Sequence, residues 1–303
     1  MNKDIQLSVH LGAHKTATTH LQRSIDDSAE AAIDAGVRCY GPQYLRHGGR
    51  AIQNLFGLKP WCGNTKPRRT PESQLEFLSK GSKRVFLSDE NFLGPLHQGD
   101  GNLVLPVYAD APERVAALAA ALPDARIKLY LAIRSPDTFI ESSYSQTLFS
   151  GHFLVPEEFK AKHPLDSVDW VPLVRGLANA PGIESLMVWR YEDYGQIFNY
   201  LMRRMLRWKL GTVIEPFHSP LHPGLSVAAV QQIIDWREQG RGGPLASMAR
   251  RDLPVNADNP RFALFQEDEK AAAQRSYDAQ IQEICGIEKC EFVDVEELPS
   301  DLR

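Results

Sequence analysis

Residues Ser8–Gln22 read SVHLGAHKTATTHLQ. An apolar run ends at Gly12, and a short loop dense in threonine follows. A helical pattern then starts near Thr18, with Leu21, Ile25, Ala29 and Ala32/Ile33 expected on one face and Gly36 as its stop. A strand, loop and helix in this order aim unpaired backbone N–H groups and the positive end of the helix at one point, which makes an anion site. Lys15 adds a full charge, and Thr16, Thr18 and Thr19 add hydroxyl donors. Three hydroxyls and a lysine within five positions exceed what capping a helix requires.

Outward from this loop the chain alternates between short β-rich runs and helical patterns. The runs are Ile5–Leu11, Val37–Tyr40, Arg84–Ser88, Ile127–Ile133 and Leu186–Arg190. Helices are expected at Glu113–Leu122, from Ser135 onward, at Trp170–Ala178, Tyr194–Trp208, Ser226–Gln239 and Phe262–Ile284. Such alternation predicts an α/β fold whose parallel sheet is flanked by helices. The helix after Ser135 opens on a capping serine, a proline suited to the first helical position and the acidic Asp137. Ile140, Tyr144 and Leu148 form its buried stripe. The stretches Gln43–Arg69, Asn91–Pro112 and Gly151–Asp169 are long enough to cover a site.

Composition narrows the function classes. The 303 residues are 43% hydrophobic and 24% charged, with 34 Lys and Arg against 38 Asp and Glu. That is the profile of an ordinary globular protein, and a chain of this length buries roughly 75% of its extended surface. A formal charge of −4 argues against binding nucleic acid or an anionic membrane through bulk charge. Any anionic ligand must be caught by a local arrangement of donors. The cysteines Cys39, Cys62, Cys285 and Cys290 form neither a disulfide framework nor a zinc pattern. The N-terminus lacks the features of a secretory signal, and no run approaches the ~20 apolar residues of a membrane span. A cytoplasmic protein with no integral membrane segment, no nucleic-acid partner and no metal is expected.

The loop is not that of a nucleoside triphosphatase. That pattern requires G-x-x-x-x-G-K-[ST], and Ala17-Thr18 stand where Gly-Lys would be. HLGAHKTATTHLQ instead resembles the 5′-phosphosulfate loop of the sulfotransferases that use 3′-phosphoadenosine 5′-phosphosulfate (PAPS), Gly-x-Pro-Lys-[ST]-Gly-[ST]-[ST]. Gly12, Lys15, Thr16, Thr18 and Thr19 match, while His14 replaces the proline and Ala17 the glycine. The same family carries an arginine at the end of a later strand and a serine eight residues on. Arg134 and Ser142 stand in that relation. Ser142 lies about 200° around the helix from Ile140, away from the buried stripe, and an arginine at a strand's carboxyl end lies where open α/β sheets bind ligands. WRYEDY (Trp189–Tyr194) is similar to a segment common in the family, with Glu192 and Asp193 expected to cap the following helix. HSPLHPGLSVAAVQQI, around Leu221–Ile234, resembles a late stretch of its bacterial members.

The resemblance implies a P-loop-like sheet of about five strands in the order 2-3-1-4-5. It implies one domain over residues 1–303, with a core at about 5–234 and a C-terminal helical part at about 235–303. It further implies transfer of a sulfuryl group from PAPS to a hydroxyl or amine, leaving 3′,5′-adenosine bisphosphate, without a metal. Gly12, Ala13, His14, Lys15, Thr16, Ala17, Thr18 and Thr19 would hold the 5′-phosphosulfate, and Arg134 and Ser142 the 3′-phosphate. Lys15 would stabilise the leaving phosphate. The base is expected at the end of VFLSDEN, where Asp89 and Glu90 point to opposite faces if the strand continues. The family pattern selects Glu90, with His47 and His97 as alternatives in the covering loops. Arg250–Arg251 could close over the cofactor or form a solvated face. The acceptor is left as a small molecule, a lipid or a carbohydrate. Two other readings stand beside this one: a P-loop nucleotide kinase or NTPase, and a non-catalytic relative that binds a nucleotide or glycan.

Overall fold

A computed structural model describes residues 5–218 and 224–302. Six strands form one all-parallel sheet: β1 Gln6–His10, β2 Val37–Tyr40, β3 Arg84–Ser88, β4 Arg126–Ile133, β5 Ile183–Arg190 and β6 Cys290–Val293. Their order is β2-β3-β1-β4-β5-β6. The expected five-strand order is present and is extended by β6, so the C-terminal part contributes a strand as well as helices.

β1 explains why the loop after it becomes the centre of the molecule. Its five residues are all buried, as expected of a central strand covered on both faces. Leu7 and Val9 join the larger hydrophobic layer with Leu87, Leu129, Phe139 and Trp170. On the other face His10 stacks between Phe86 and Trp189, and its Nδ1 lies 2.8 Å from the Ser88 hydroxyl. Burial lowers the His10 pKa to about 4, so this ring is a neutral core group. Because β1 pairs with β3 on one side and β4 on the other, its carboxyl end opens into the crevice where chain crossovers diverge.

Helices Thr18–Asp27 and Tyr194–Met205 cover the face that carries Phe86 and Trp189. Helices Ala111–Ala121, Pro136–Phe149 and Val171–Ala178 cover the other. The first helix is shorter than its pattern suggests. It stops at Ser28, a second helix runs Ala29–Asp34, and this break leaves Ala29 and Ile33 exposed while Leu21, Ile25 and Ala32 stay buried. Gly36 ends the pair at φ +75°, a conformation that favours glycine.

Ile140, Tyr144 and Leu148 are buried as expected, but the caps differ. The Ser135 hydroxyl donates to Asp137 rather than accepting a first-turn amide. The Ser135 amide is satisfied from elsewhere, by Glu192 Oε1 at 2.9 Å, so Glu192 caps this helix and not the one that follows it. Asp193 makes no cap bond and pairs with Arg190 at 2.6 Å. Beyond the sheet core, helices Val227–Glu238, Leu245–Asp252 and Glu267–Cys285 follow. Glu267–Cys285 packs on Pro136–Phe149 and Val171–Ala178. Of the stretch around Leu221–Ile234, residues 219–223 lie outside the described residues; Ser226 caps the helix after it by accepting the Ala229 amide at 3.0 Å. All four cysteines are free thiols. No helix among the described residues is long and apolar enough to cross a membrane.

Candidate functional site

The loop between β1 and helix Thr18–Asp27 turns on three left-handed residues: Gly12 at φ +51°, Lys15 at +68° and Ala17 at +61°. At Gly12 a side chain is excluded outright, since a Cβ would lie 2.3 Å from Thr18 Cγ2. Alternation of left- and right-handed residues turns successive N–H groups inward to form a cradle. Among the described residues, the amides of Lys15, Thr16, Ala17, Thr18 and Thr19 have no acceptor. The amides before them are spoken for: Ala13 donates to the Ala132 carbonyl at 3.2 Å and His14 to the Tyr108 hydroxyl at 3.0 Å. Five orphan donors in a row at a helix N-terminus suit an oxyanion.

Not every residue of the loop faces that anion position. Gly12, Ala13 and Thr16 are buried beneath the loop surface. The backbone bends back at Lys15, so the Thr16 hydroxyl reaches the Ala13 carbonyl at 2.6 Å and is unavailable to a ligand. His14, Lys15, Ala17, Thr18 and Thr19 do line a cleft of about 790 Å³, together with Glu90, Arg134 and Ser142. His14 and Ser142, 128 positions apart in sequence, are thus brought to one concavity.

Its cationic side is preorganised and unpaired. Arg134 follows β4 and is 5% exposed. Its Nε donates to Thr138 Oγ1 at 2.9 Å, its Nη1 to the Lys15 carbonyl at 2.6 Å, and its guanidinium lies 4.4 Å from the Tyr191 ring centroid. It has no carboxylate partner among the described residues. Lys15 Nζ donates to Gln146 Oε1 at 3.3 Å. Burial, and then the nearby Arg134 charge, lowers the Lys15 pKa to about 8. A site that lowers a lysine pKa in this way gains when a negative ligand arrives. Arg261, from the C-terminal region, lines the same cleft and also lies within the field of Lys15.

The carboxylate side differs. Asp89 accepts the Asn91 amide and the Arg46 guanidinium at 2.8 Å, and its carboxyl is raised by burial against the pull of Arg46. Glu90 lines the cleft, accepts from Arg46 at 2.7 Å and from Gln22 Nε2 at 3.3 Å. Burial pushes its pKa up, but hydrogen bonding and charge from Arg46 outweigh this and leave it below the usual glutamate value. Of the two acids, Glu90 alone reaches the cleft, and it is ionised there.

Neither alternative histidine offers a better proton acceptor in this geometry. His47 is exposed and does not line the cleft. His97 lines it but is neutral, lowered to about 4 mainly by burial, with Nε2 3.1 Å from the Ser143 carbonyl. His14 is fixed by two contacts, Nδ1 to the Tyr108 hydroxyl at 2.8 Å and Nε2 to Asn91 Oδ1 at 3.1 Å. The Tyr108 hydroxyl accepts the His14 amide, so its proton points at Nδ1 and the ring carries its hydrogen on Nε2. Arg251 pairs with Asp252 in solvent, whereas Arg250 stacks on Phe149 and contributes to the field at Lys15.

Comparison of the chain with protein-family models, with curated proteins and with solved structures gives no match in any of the three. Arg46, Tyr108, Gln146 and Arg261 were not singled out as site residues by sequence. Arg46 had a legible signal: residues 35–71 contain seven Lys and Arg and no Asp or Glu, in a chain of net charge −4. Arg261 had none, being one arginine in an irregular segment. No group of three or more His, Cys, Asp or Glu able to hold a metal is found among the described residues.

Proposed function

We propose that the protein is a sulfotransferase that moves a sulfuryl group from PAPS to a hydroxyl-bearing acceptor. The observation that carries this reading is one cleft lined by Lys15 and its loop of five orphan amides, by the unpaired Arg134 and Ser142, and by the ionised Glu90. These donors fit a nucleotide with phosphate groups at two separate positions better than a triphosphate. Asp89, the acid that a magnesium-dependent NTPase would use at a strand end, is already held by Arg46 and the Asn91 amide.

PAPS, when bound, supplies an activated sulfuryl group and a phosphate that can leave. The loop amides and Lys15 hold the charge that grows on the departing oxygen, with no reorganisation at the moment of reaction. Arg134 and Ser142 fix the far phosphate and so align the reacting end. Glu90 takes the acceptor proton, helped by the fixed positions of Arg46 and Gln22. Asn91, Gln98, Ser150 and His152 also line the cleft, a polar lining that suits a carbohydrate or polyol acceptor more than a lipid.

A thermal-shift comparison of 3′,5′-adenosine bisphosphate with ATP–Mg²⁺ and AMP tests the cofactor reading. Stabilisation by the bisphosphate above the other two is expected, and an equal or absent response defeats it. Transfer of label from PAPS to a panel of sugars and alcohols then separates an enzyme from a binding protein that lacks turnover.

A further inference from the structure

The opposite end of the sheet carries a second concentration of positive charge. Gln6, Arg84 and Arg126 are the first residues of β1, β3 and β4, and they stand in one register row across the sheet. Residues in one row of a parallel sheet project to the same face, with neighbouring strands about 4.8 Å apart. Lys83 precedes Arg84, and Arg207 comes in from the end of helix Tyr194–Met205, which covers that face. Together these residues line a concavity of about 510 Å³ closed by Gly36, Gly81 and Ser82. It contains four cationic side chains and no acidic one.

Two of the four are held in place. Arg207 Nη1 donates to the Ala35 carbonyl at 2.6 Å, and Arg84 Nη1 to the Leu206 carbonyl at 3.4 Å. A carbonyl orients a guanidinium without neutralising it, so both keep their charge and their other donors. Among the described residues none of the four has an ion-pair partner, and no acid lines the concavity. Burial, followed by the charges of Arg207 and Arg126, pulls the Arg84 pKa below its ordinary value. Like charges gathered without a counterion cost free energy that a polyvalent anion would return. Gly36, at φ +75°, borders the concavity beside Arg207, 3.8 Å from whose Nη1 a Cβ would lie in ordinary contact.

We propose that this concavity is a second anion-binding site, separate from the cleft, for a small soluble ligand bearing phosphate groups with at least two negative charges. The guanidinium fork matches phosphate oxygens in pairs, and the space exceeds that of one inorganic phosphate. The inference is independent of the transfer reaction, because the two sites lie at opposite ends of strands about 15 Å long.

The test is calorimetric titration of inorganic pyrophosphate, without divalent metal, into the full chain carrying Lys15→Ala and Arg134→Ala to silence the cleft. Saturable binding is expected in that background, and two sites in the unaltered chain. Adding Lys83→Ala and Arg126→Ala, both exposed and free of side-chain hydrogen bonds among the described residues, is expected to weaken it at least about tenfold. Circular dichroism checks that each variant folds. Absence of saturable binding up to about 10 mM, beyond the weak end of specific affinity, overturns the proposal. So does an equal loss from Arg68→Ala with Arg69→Ala, which lowers net charge by the same amount elsewhere.

Discussion

The loops that follow β1 and β3 touch at the His14–Asn91 hydrogen bond and line one cleft with opposite charge, and they differ in how that charge is compensated. After β1, Lys15 and the orphan amides are positive and have no counterion; Arg134 beside them has none either. After β3, Asp89 and Glu90 are negative and share one guanidinium, that of Arg46. The first loop is thus poised to gain from a negative ligand, while the second gains nothing from a positive one. An acid already stabilised by an arginine is a weaker base than a free one. The asymmetry says that most of the driving force on this cleft belongs to the anion side.

Removing the unpaired charge should therefore have the largest effect. Lys15→Ala is expected to lower transfer by about 10²–10³-fold in kcat, the scale for losing one preorganised donor at a developing charge. Near-normal turnover in labelled-PAPS assays would break the comparison. Arg134→Ala should act on binding more than on chemistry, weakening 3′,5′-adenosine bisphosphate about 10–100-fold by calorimetry. A fall confined to kcat would instead place Arg134 with the reacting end.

Titration sharpens the same contrast. Lys15, at about 8 in the ligand-free protein, must be protonated to hold an anion. Bisphosphate affinity should be level below that pH and fall by up to about tenfold per unit above it, with proton uptake on binding. The dependence should vanish in Lys15→Ala, and its persistence there would assign it to another group. On the other wall, Arg46→Ala leaves two buried carboxylates uncompensated. Glu90 should then protonate at higher pH, moving the acid limb of the rate profile upward, with about 1–3 kcal/mol lost in urea unfolding. An unmoved acid limb would remove Glu90 from the proton transfer. The smallest effect is expected at Ala17, where a left-handed non-glycine residue costs about 1–2 kcal/mol. Ala17→Gly should release that, partly offset by about 0.5–1 kcal/mol of chain entropy, so thermal unfolding should show a gain of at most about 1.5 kcal/mol.

Local pattern carried the reading as far as local pattern reaches. Val37–Tyr40 and Arg84–Ser88 form strands at the expected residues, and the strand, loop and helix at Ser8–Gln22 are where the sequence puts them. Lys15, Glu90 and Arg134 converge because each follows the carboxyl end of a strand, a place fixed by the sheet order, and Ser142 joins them from the helix that Arg134 precedes. What escaped depends on partners distant in sequence. Glu192 looked like a local cap, yet it satisfies an amide 57 residues earlier. β6 is four residues long, with Val293 its one buried residue, and owes its place to pairing with β5. Thr16 looked like a ligand donor because a one-dimensional pattern does not say which way a hydroxyl turns.

The bond from Arg134 Nη1 to the Lys15 carbonyl has a consequence of its own. It ties the two grips together, so the gap between them is set by the protein and not by whatever occupies it. Such a pair works as a caliper. A molecule whose two charges match the gap pays the loss of free tumbling once and collects both contacts; one with a single charged end pays the same and collects half. The penalty for cutting a fitting molecule in two should thus exceed the sum of what the halves bind, and selection between anions here turns on spacing as much as on charge.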